Sequence, residues 1–263
     1  MKQYIIDGRI YSLRDCRDDE ISRKDGIYCS KCNSIKVTGY EGIILEANLC
    51  ECDRAKIRAE EEYRAKVLRV AKINDLKKQS LLHDRYNNAL FEKSEPLPQH
   101  RKLKEYADAA ARNYTNGTSL YLNGKCGTGK THSMACVANV LMDKLYSVHF
   151  TNFNNIVRDI KSTFNSRSKR SEQDIFEVLT DVDFLFIDDI GTEYIKDKDG
   201  YIQSIIYDVI NTRYNKYKPC VFSSNYSIID LCGLSNIEER TGQRIYEMTK
   251  GNVIEFNGRN FRI

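Results

Sequence analysis

An α/β fold, three layers deep around a parallel sheet, is expected over most of this chain on three observations. A short apolar run at 119–123 breaks into a glycine-rich turn closing in Lys-Thr. Downstream, short apolar runs alternate with amphipathic helical stretches, and one of these runs, 182–187, ends in two adjacent carboxylates.

The turn comes first because its chemistry is the most specific. Gly124, four residues, then Gly129, Lys130 and Thr131 satisfy the phosphate-cradling spacing G-x4-G-K-[ST], and Gly127 adds a third flexible position. A backbone that wraps an anion with its N–H groups turned inward needs close approach and positive φ, which glycine supplies. Lys125, Cys126, Thr128 and His132 complete the stretch expected to line a bound nucleotide. Lys130 would reach the β- and γ-phosphates of ATP and the Thr131 hydroxyl would ligate Mg²⁺. A helix expected over 131–146, with apolar Met134, Val137, Ala138, Val140 and Leu141, would aim its positive end at the anion.

Composition sets the limits. The 263 residues carry 41 Lys and Arg against 37 Asp and Glu, a net charge of +4 that permits nucleic-acid contact without arguing for it. No apolar run approaches the roughly 20 residues of a membrane span. The opening residues lack the apolar core of a signal peptide, so a cytoplasmic location is expected. In a reducing compartment close cysteine pairs point to metal rather than to disulfides.

Taken in order, residues 1–52 are short, mixed and rich in cysteine. Cys29 and Cys32 have the C-x2-C spacing with which two thiolates grip one Zn²⁺, and Cys50 and Cys52 supply a C-x-C pair, with Cys16 in reserve. The segments 34–40 and 43–47 between them suit a small β-ribbon whose missing core a metal would replace. Residues 53–86 are charged and free of Gly and Pro. They read as a long helix or helical hairpin, either a solvated connection or a partner-binding surface along Ile57, Val67, Leu68, Val70, Ala71, Ile73 and Leu76.

Two prolines near 92–99 mark a boundary, and a nucleotide-binding domain is expected from 87 to 263. Tyr86, Leu90 and Phe91 are candidate walls for an adenine pocket. One helix is expected over 103–114, a strand over 147–151, and helices over 153–164 and 172–179. The basic connection 165–171 between these two is either a loop or a face for DNA phosphates. The run 182–187 then delivers Asp188 and Asp189 to the carboxyl edge of the sheet, where such folds bind ligands. Asp188 would hold Mg²⁺ and Asp189 would polarise the attacking water. A helix over 201–217 leads to a strand at 220–225, whose end would place Asn225 near the γ-phosphate.

The loop 124–132, the acidic strand end 187–191 and the Ser223-Ser-Asn225 strand end, in this order, resemble the AAA+ ATPases. More closely, on Gly-Lys-Thr-His at 129–132, Asp-Asp-Ile-Gly at 188–191, the closing Gly-Arg-Asn-Phe-Arg at 258–262 and the cysteine module ahead of the core, the chain resembles the DnaC/DnaI type of replicative helicase loader. The resemblance is specific over roughly 86–263 and loose over the first 52 residues.

It implies an ATPase that assembles on ATP, contacts single-stranded DNA and binds a replicative helicase through its N-terminal module. It makes Lys130 and Thr131 phosphate and Mg²⁺ contacts, Asp188 and Asp189 the acidic pair, and Asn225 the γ-phosphate sensor. Arg244 becomes an arginine finger offered to a neighbouring subunit, with Arg240 as the alternative. Asp189 stands where many AAA+ proteins carry Glu, which implies slow hydrolysis. The stretch after Asn225 is too short for the usual helical lid. An IstB-like transposition ATPase, and a zinc-dependent interaction module with a hydrolytically silent core, are the alternative readings.

Overall fold

The computed structural model describes residues 3–6, 9–12, 20–23, 26–40, 43–47, 49–164, 171–191, 200–233 and 237–261, with side chains from residue 27 onward except 37–48. Most of the basic connection at 165–171 and the reserve ligand Cys16 lie outside the described residues. The chain forms two compact units, Met1–Val70 and Ala71–Ile263.

The first unit holds a hairpin of β1 (Gln3–Ile6) and β2 (Arg9–Ser12), and an antiparallel sheet of β3 (Glu20–Arg23), β4 (Gly26–Cys29), β5 (Ile35–Tyr40) and β6 (Ile43–Ala47) in sequential order. The ribbon expected over 34–47 is the β5–β6 pair. Helix α1 (Glu51–Gln79) follows, and the unit boundary falls within it. None of its residues is buried, and Tyr63, Val67, Leu68 and Val70 all stand exposed. Its apolar residues form too sparse a stripe to make a core face.

The second unit continues with α2 (Gln99–Asp108), α3 (Ala110–Asn116), β7 (Leu120–Gly124), α4 (Lys130–Asp143), β8 (Val148–Asn152), α5 (Phe153–Thr163), α6 (Glu172–Asp181), β9 (Phe184–Asp188), α7 (Tyr201–Asn215), β10 (Cys220–Ser224), α8 (Ile228–Gly233), α9 (Glu239–Thr249) and β11 (Val253–Phe256). Its five strands lie in the order β11-β7-β10-β9-β8, and every pair is parallel.

Alternation along each strand splits the core in two, because successive side chains face opposite sides of a sheet. Leu120, Leu122, Phe184 and Phe186 face one way, onto Leu103, Met134, Val137 and Leu141. Tyr121, Leu185, Ile187 and Phe222 face the other, onto Ile156, Ile160, Ile206, Ile210 and Ile245. The result is the three-layer arrangement expected.

The single helix expected over 103–114 is instead two helices, broken at Ala109 with φ −81° and ψ 20°. The buried Asn113 side chain donates to the Tyr106 carbonyl at 2.8 Å, satisfying a group that the break leaves without its helical partner. At the β8 edge, the Phe150 N–H donates to the Ser80 carbonyl at 2.7 Å, so the segment after α1 occupies part of the open strand edge. After β10, two helices and one strand follow among the described residues. Strand β11 returns to the sheet beside β7.

Candidate nucleotide site and cysteine cluster

The turn between β7 and α4 has the backbone that its glycines foretell. Gly124, Gly127 and Gly129 have φ of 146°, 83° and 93°, a region that side chains with a Cβ disfavour. Lys130 opens α4 and is buried, with Nζ donating to the carbonyls of Gly124 at 2.6 Å and Lys125 at 3.0 Å and to Asn225 Oδ1 at 2.9 Å. The ammonium is thus held across the mouth of the loop, and Asn225, from the end of β10, is brought directly to it. Pairing of β7 with β10 explains this: Asn123 lies opposite Ser224, so the two strand ends come level.

Thr131 Oγ1 donates to Asp188 Oδ2 at 2.9 Å, and the Ser223 hydroxyl bonds Asp188 Oδ1. Asp188 is buried, and that burial holds its carboxyl above the ordinary range. Its neighbour Asp189 leaves the strand with φ 53°, a left-handed conformation that Asp tolerates better than most residues. Its N–H donates to Ser223 Oγ at 3.0 Å. Because it departs from strand geometry, its side chain escapes the alternation that would have sent it to the face opposite Asp188. It lines a cavity of about 330 Å³ together with Cys126, Gly127, Gly129, Lys130, Thr131 and His132. Thr131 also lines a second cavity of about 260 Å³ that contains Asp188.

These residues fit a nucleoside triphosphate with Mg²⁺: a glycine cradle, one ammonium at its centre, and a hydroxyl and a carboxylate 2.9 Å apart as hard oxygen ligands. Lys125 and Cys126 are exposed on the loop, and Thr128 is buried with its hydroxyl donating to the Lys125 carbonyl at 2.8 Å. Of the three candidate adenine walls only Tyr86 lines the cavity. Phe91 is instead buried in the core, 5.2 Å from the His100 ring.

Ionised Asp188 is a burden on the protein without ligand. A carboxyl with a raised pKa contributes stability that is fully present below the ordinary 3.8 and lost as pH rises through its folded value. Asp188→Asn is therefore expected to raise the melting temperature of the ligand-free protein at neutral pH while removing Mg²⁺-dependent ATP binding. Calorimetry with and without Mg-ATP checks both.

Several residues that build the site carried no role in the sequence reading. Ser223 is one, and a signal existed, since it stands two residues before Asn225 and so on the same face of β10. Ser94 is another, with Oγ 2.7 Å from His132 Nε2. Burial lowers the pKa of His132, which favours the neutral ring. Leu97 and Phe261 complete the cavity wall.

Arg244 and Arg240 are not brought to this cavity. Both lie on α9 against tyrosines of α7: Arg244 is 4.2 Å from the Tyr214 ring and paired with Glu247, and Arg240 is 4.4 Å from the Tyr207 ring and paired with Glu238. Close packing of α9 on α8 requires Gly242, where a Cβ would lie 2.9 Å from Cys232 Cα.

In the first unit the four predicted cysteines converge. The sulfurs of Cys29, Cys32, Cys50 and Cys52 all lie within 4.8 Å of one another. A tetrahedral zinc with Zn–S of ~2.3 Å needs them about 3.8 Å apart. The Cys29 N–H donates to the Ser34 carbonyl and the Asn33 N–H to the Cys29 carbonyl, both at 2.9 Å, which folds Cys29 and Cys32 into one tight knuckle. Cys50 immediately precedes α1 and Cys52 lies in its first turn, a start anchored by Lys36 on Asp53 at 3.2 Å. Hydrogen bonding to Ser34 draws the Cys32 thiol down to about 6, while burial pushes that of Cys50 up to about 12.

The phosphate loop at the head of a helix, the acidic end of the neighbouring-but-one strand and a polar strand end between them define a P-loop ATPase-type domain of the AAA+ class. Residues 86–247 match the family model described as the bacterial DnaA ATPase domain. The chain is 29% identical over 167 residues to the replicative helicase loader DnaC of Buchnera aphidicola subsp. Baizongia pistaciae, covering 62% of this chain and 64% of that protein. It is 32% identical over 129 residues to the replicative helicase loader DnaI of Bacillus subtilis, covering 48% of this chain and 37% of that one. A crystal structure of the DnaC helicase loader superposes with a TM-score of 0.55 at 24% identity, over 65% of this chain and 99% of the other, a likeness of fold. The chain belongs to the bacterial DnaA ATPase-domain family. It spans less than two thirds of the length of the curated relatives named here. Among the described residues no helix is long and apolar enough to cross a membrane.

Proposed function

We propose that this protein is an ATP-dependent loader of a replicative DNA helicase. The observation that carries the proposal is the meeting of Lys130, Asn225, Thr131, Asp188 and Ser223 at one edge of the sheet, in a chain whose relatives are named as helicase loaders.

In this reading Lys130 and the loop 124–132 hold the phosphates, with the Lys130 ammonium exchanging carbonyl partners for phosphate oxygens. Thr131 and Asp188 hold Mg²⁺, which when bound offsets charge on those oxygens. Asp189 orients the attacking water through a carboxylate one methylene shorter than Glu, which favours slow turnover. Asn225 links occupancy of the γ-phosphate position to β10. The guanidinium of Arg244, or of Arg240, comes from an adjacent subunit, so hydrolysis requires assembly. The tyrosines beneath both arginines hold their side chains in a defined direction.

The division proposed from the sequence assigns residues 1–52 to a zinc-binding module, 53–86 to a helical linker or partner-binding helix, and 87–263 to the ATPase domain. The first two would carry the helicase contact, while the third touches single-stranded DNA. Purified protein is expected to contain about one zinc per chain, with Cys29→Ser or Cys50→Ser removing it and a chelator lowering the melting temperature of the first unit without altering nucleotide affinity. Elemental analysis and calorimetry read these outcomes.

The deciding experiment is co-purification with candidate replicative helicases, with and without ATP. ATP-sensitive capture of a helicase supports the proposal, whereas capture of a transposase in its place rejects it.

A further inference from the structure

We propose that Leu97 and Phe261 form the nucleobase-binding wall of the nucleotide cavity, with Phe261, carried there by the returning segment 259–261, as the ring on which the base stacks. The proposal deepens the reading of this cavity as a nucleotide site and rests on it.

Strand β11 pairs with β7 so that Phe256 lies opposite Gly124, and the chain therefore leaves the sheet beside the phosphate loop. It then folds back over that loop. The Phe261 N–H donates to the Gly127 carbonyl at 2.9 Å. The Asn260 side chain lies so close over Gly127 that a Cβ there would come within 1.9 Å of Oδ1. The glycine at 127 thus serves two ends, the cradle beneath it and the returning segment above it. At the base of this segment Gln99 Nε2 donates to the Glu255 carbonyl at 2.8 Å.

These fixings hold the Phe261 ring at the lip of the cavity. A Cβ at Gly129 would lie 3.4 Å from Leu97 Cδ1 and 3.7 Å from Phe261 Cε2, so the two apolar groups flank the loop together. Arg259 lies 5.1 Å from the Phe261 ring centroid and pairs with Glu95, another residue of the lining. That pairing offsets an acidic charge that would otherwise repel a polyphosphate.

The wall formed by Leu97 and Phe261 offers nothing to a phosphate group. Its chemistry suits a flat, weakly polar ring joined to the phosphates. Tyr86, the other benzenoid ring of the lining, is only 7% exposed, whereas Phe261 is 39% exposed. Phe261 therefore has ring area open for stacking. The returning segment thus supplies the cover over the base.

The test compares ADP with inorganic tripolyphosphate, using the full chain. Phe261→Ala is expected to weaken ADP binding about tenfold or more and to leave tripolyphosphate binding within about twofold, by titration calorimetry. Phe261→Trp should retain ADP affinity. Because the chain contains no tryptophan, its emission then reports on this position alone and should be quenched by ADP but not by tripolyphosphate.

Unchanged ADP affinity in Phe261→Ala overturns the proposal, as does an equal loss of affinity for both ligands or a Phe261→Trp emission indifferent to ADP. Each of these leaves the nucleotide site itself standing. A wild-type protein that binds neither ligand removes the site, and the proposal with it.

Discussion

Lys130→Ala is expected to lower ATP affinity about a hundredfold, the effect of losing charge-assisted hydrogen bonds worth ~3 kcal/mol from a site shielded from water. The side chain is 5% exposed and its ammonium spans three acceptors on two strands and the loop. Removing it takes away the cation intended for the phosphates and the clamp that draws Gly124, Lys125 and Asn225 together. Asn225→Ala separates these contributions, because it removes one acceptor and leaves the cation. Its affinity loss should be several-fold at most. Calorimetric titration of both variants with ATP, beside their melting curves, checks the difference. Equal affinity in Lys130→Ala and wild type would mean that the loop does not hold phosphate.

Arg213→Met is expected to destabilise the second unit by about 4 kcal/mol and to lower its melting temperature by about 10 °C. Arg213 is fully buried, and its guanidinium donates to the carbonyls of Leu179, Thr180, Val182, Asp183 and Pro219, with Nε on Cys220 Sγ. These acceptors are the end of α6, the entry to β9 and the entry to β10. One planar cation thus ties down the chain on both sides of the acidic strand. Methionine fills much of the volume but leaves carbonyls without donors, and each costs roughly 1–3 kcal/mol where water cannot reach. Arg213→Lys should recover only part of the loss, since an ammonium has three donors and lacks the planar fork. Since Arg213 fixes the start of β9 rather than its end, residual folded protein at low temperature should still bind ATP.

Arg213 also illustrates how a sequence reading fails. The stripe Ile202, Ile205, Ile206, Val209 and Ile210 continues at the same spacing to 213. Periodicity places that position in the core, but the residue type suggests solvent, and only the cluster of free carbonyls at the strand entries resolves the conflict. Residues 103–114 illustrate another kind of failure. Helical spacing persists through Ala109, and the break is accompanied by the Asn113 amide reaching the Tyr106 carbonyl, seven residues back. The glycine loop and the four cysteines, by contrast, were readable because their chemistry is bound to short spacings.

The sequence alone determined the parallel three-layer core, the glycine-rich loop ahead of α4 and the pairing of two cysteine motifs. Each depends on local pattern: short apolar runs alternating with helical stretches, positive-φ glycines, and ligand spacings set by one ion. Only the tertiary structure decided that Ser223 bonds Asp188, that Asp189 turns left-handed into the cavity, and that Phe261 returns over Gly127. These contacts join residues 34 to 134 positions apart, and strand order and register bring them together, which no stretch of local sequence encodes.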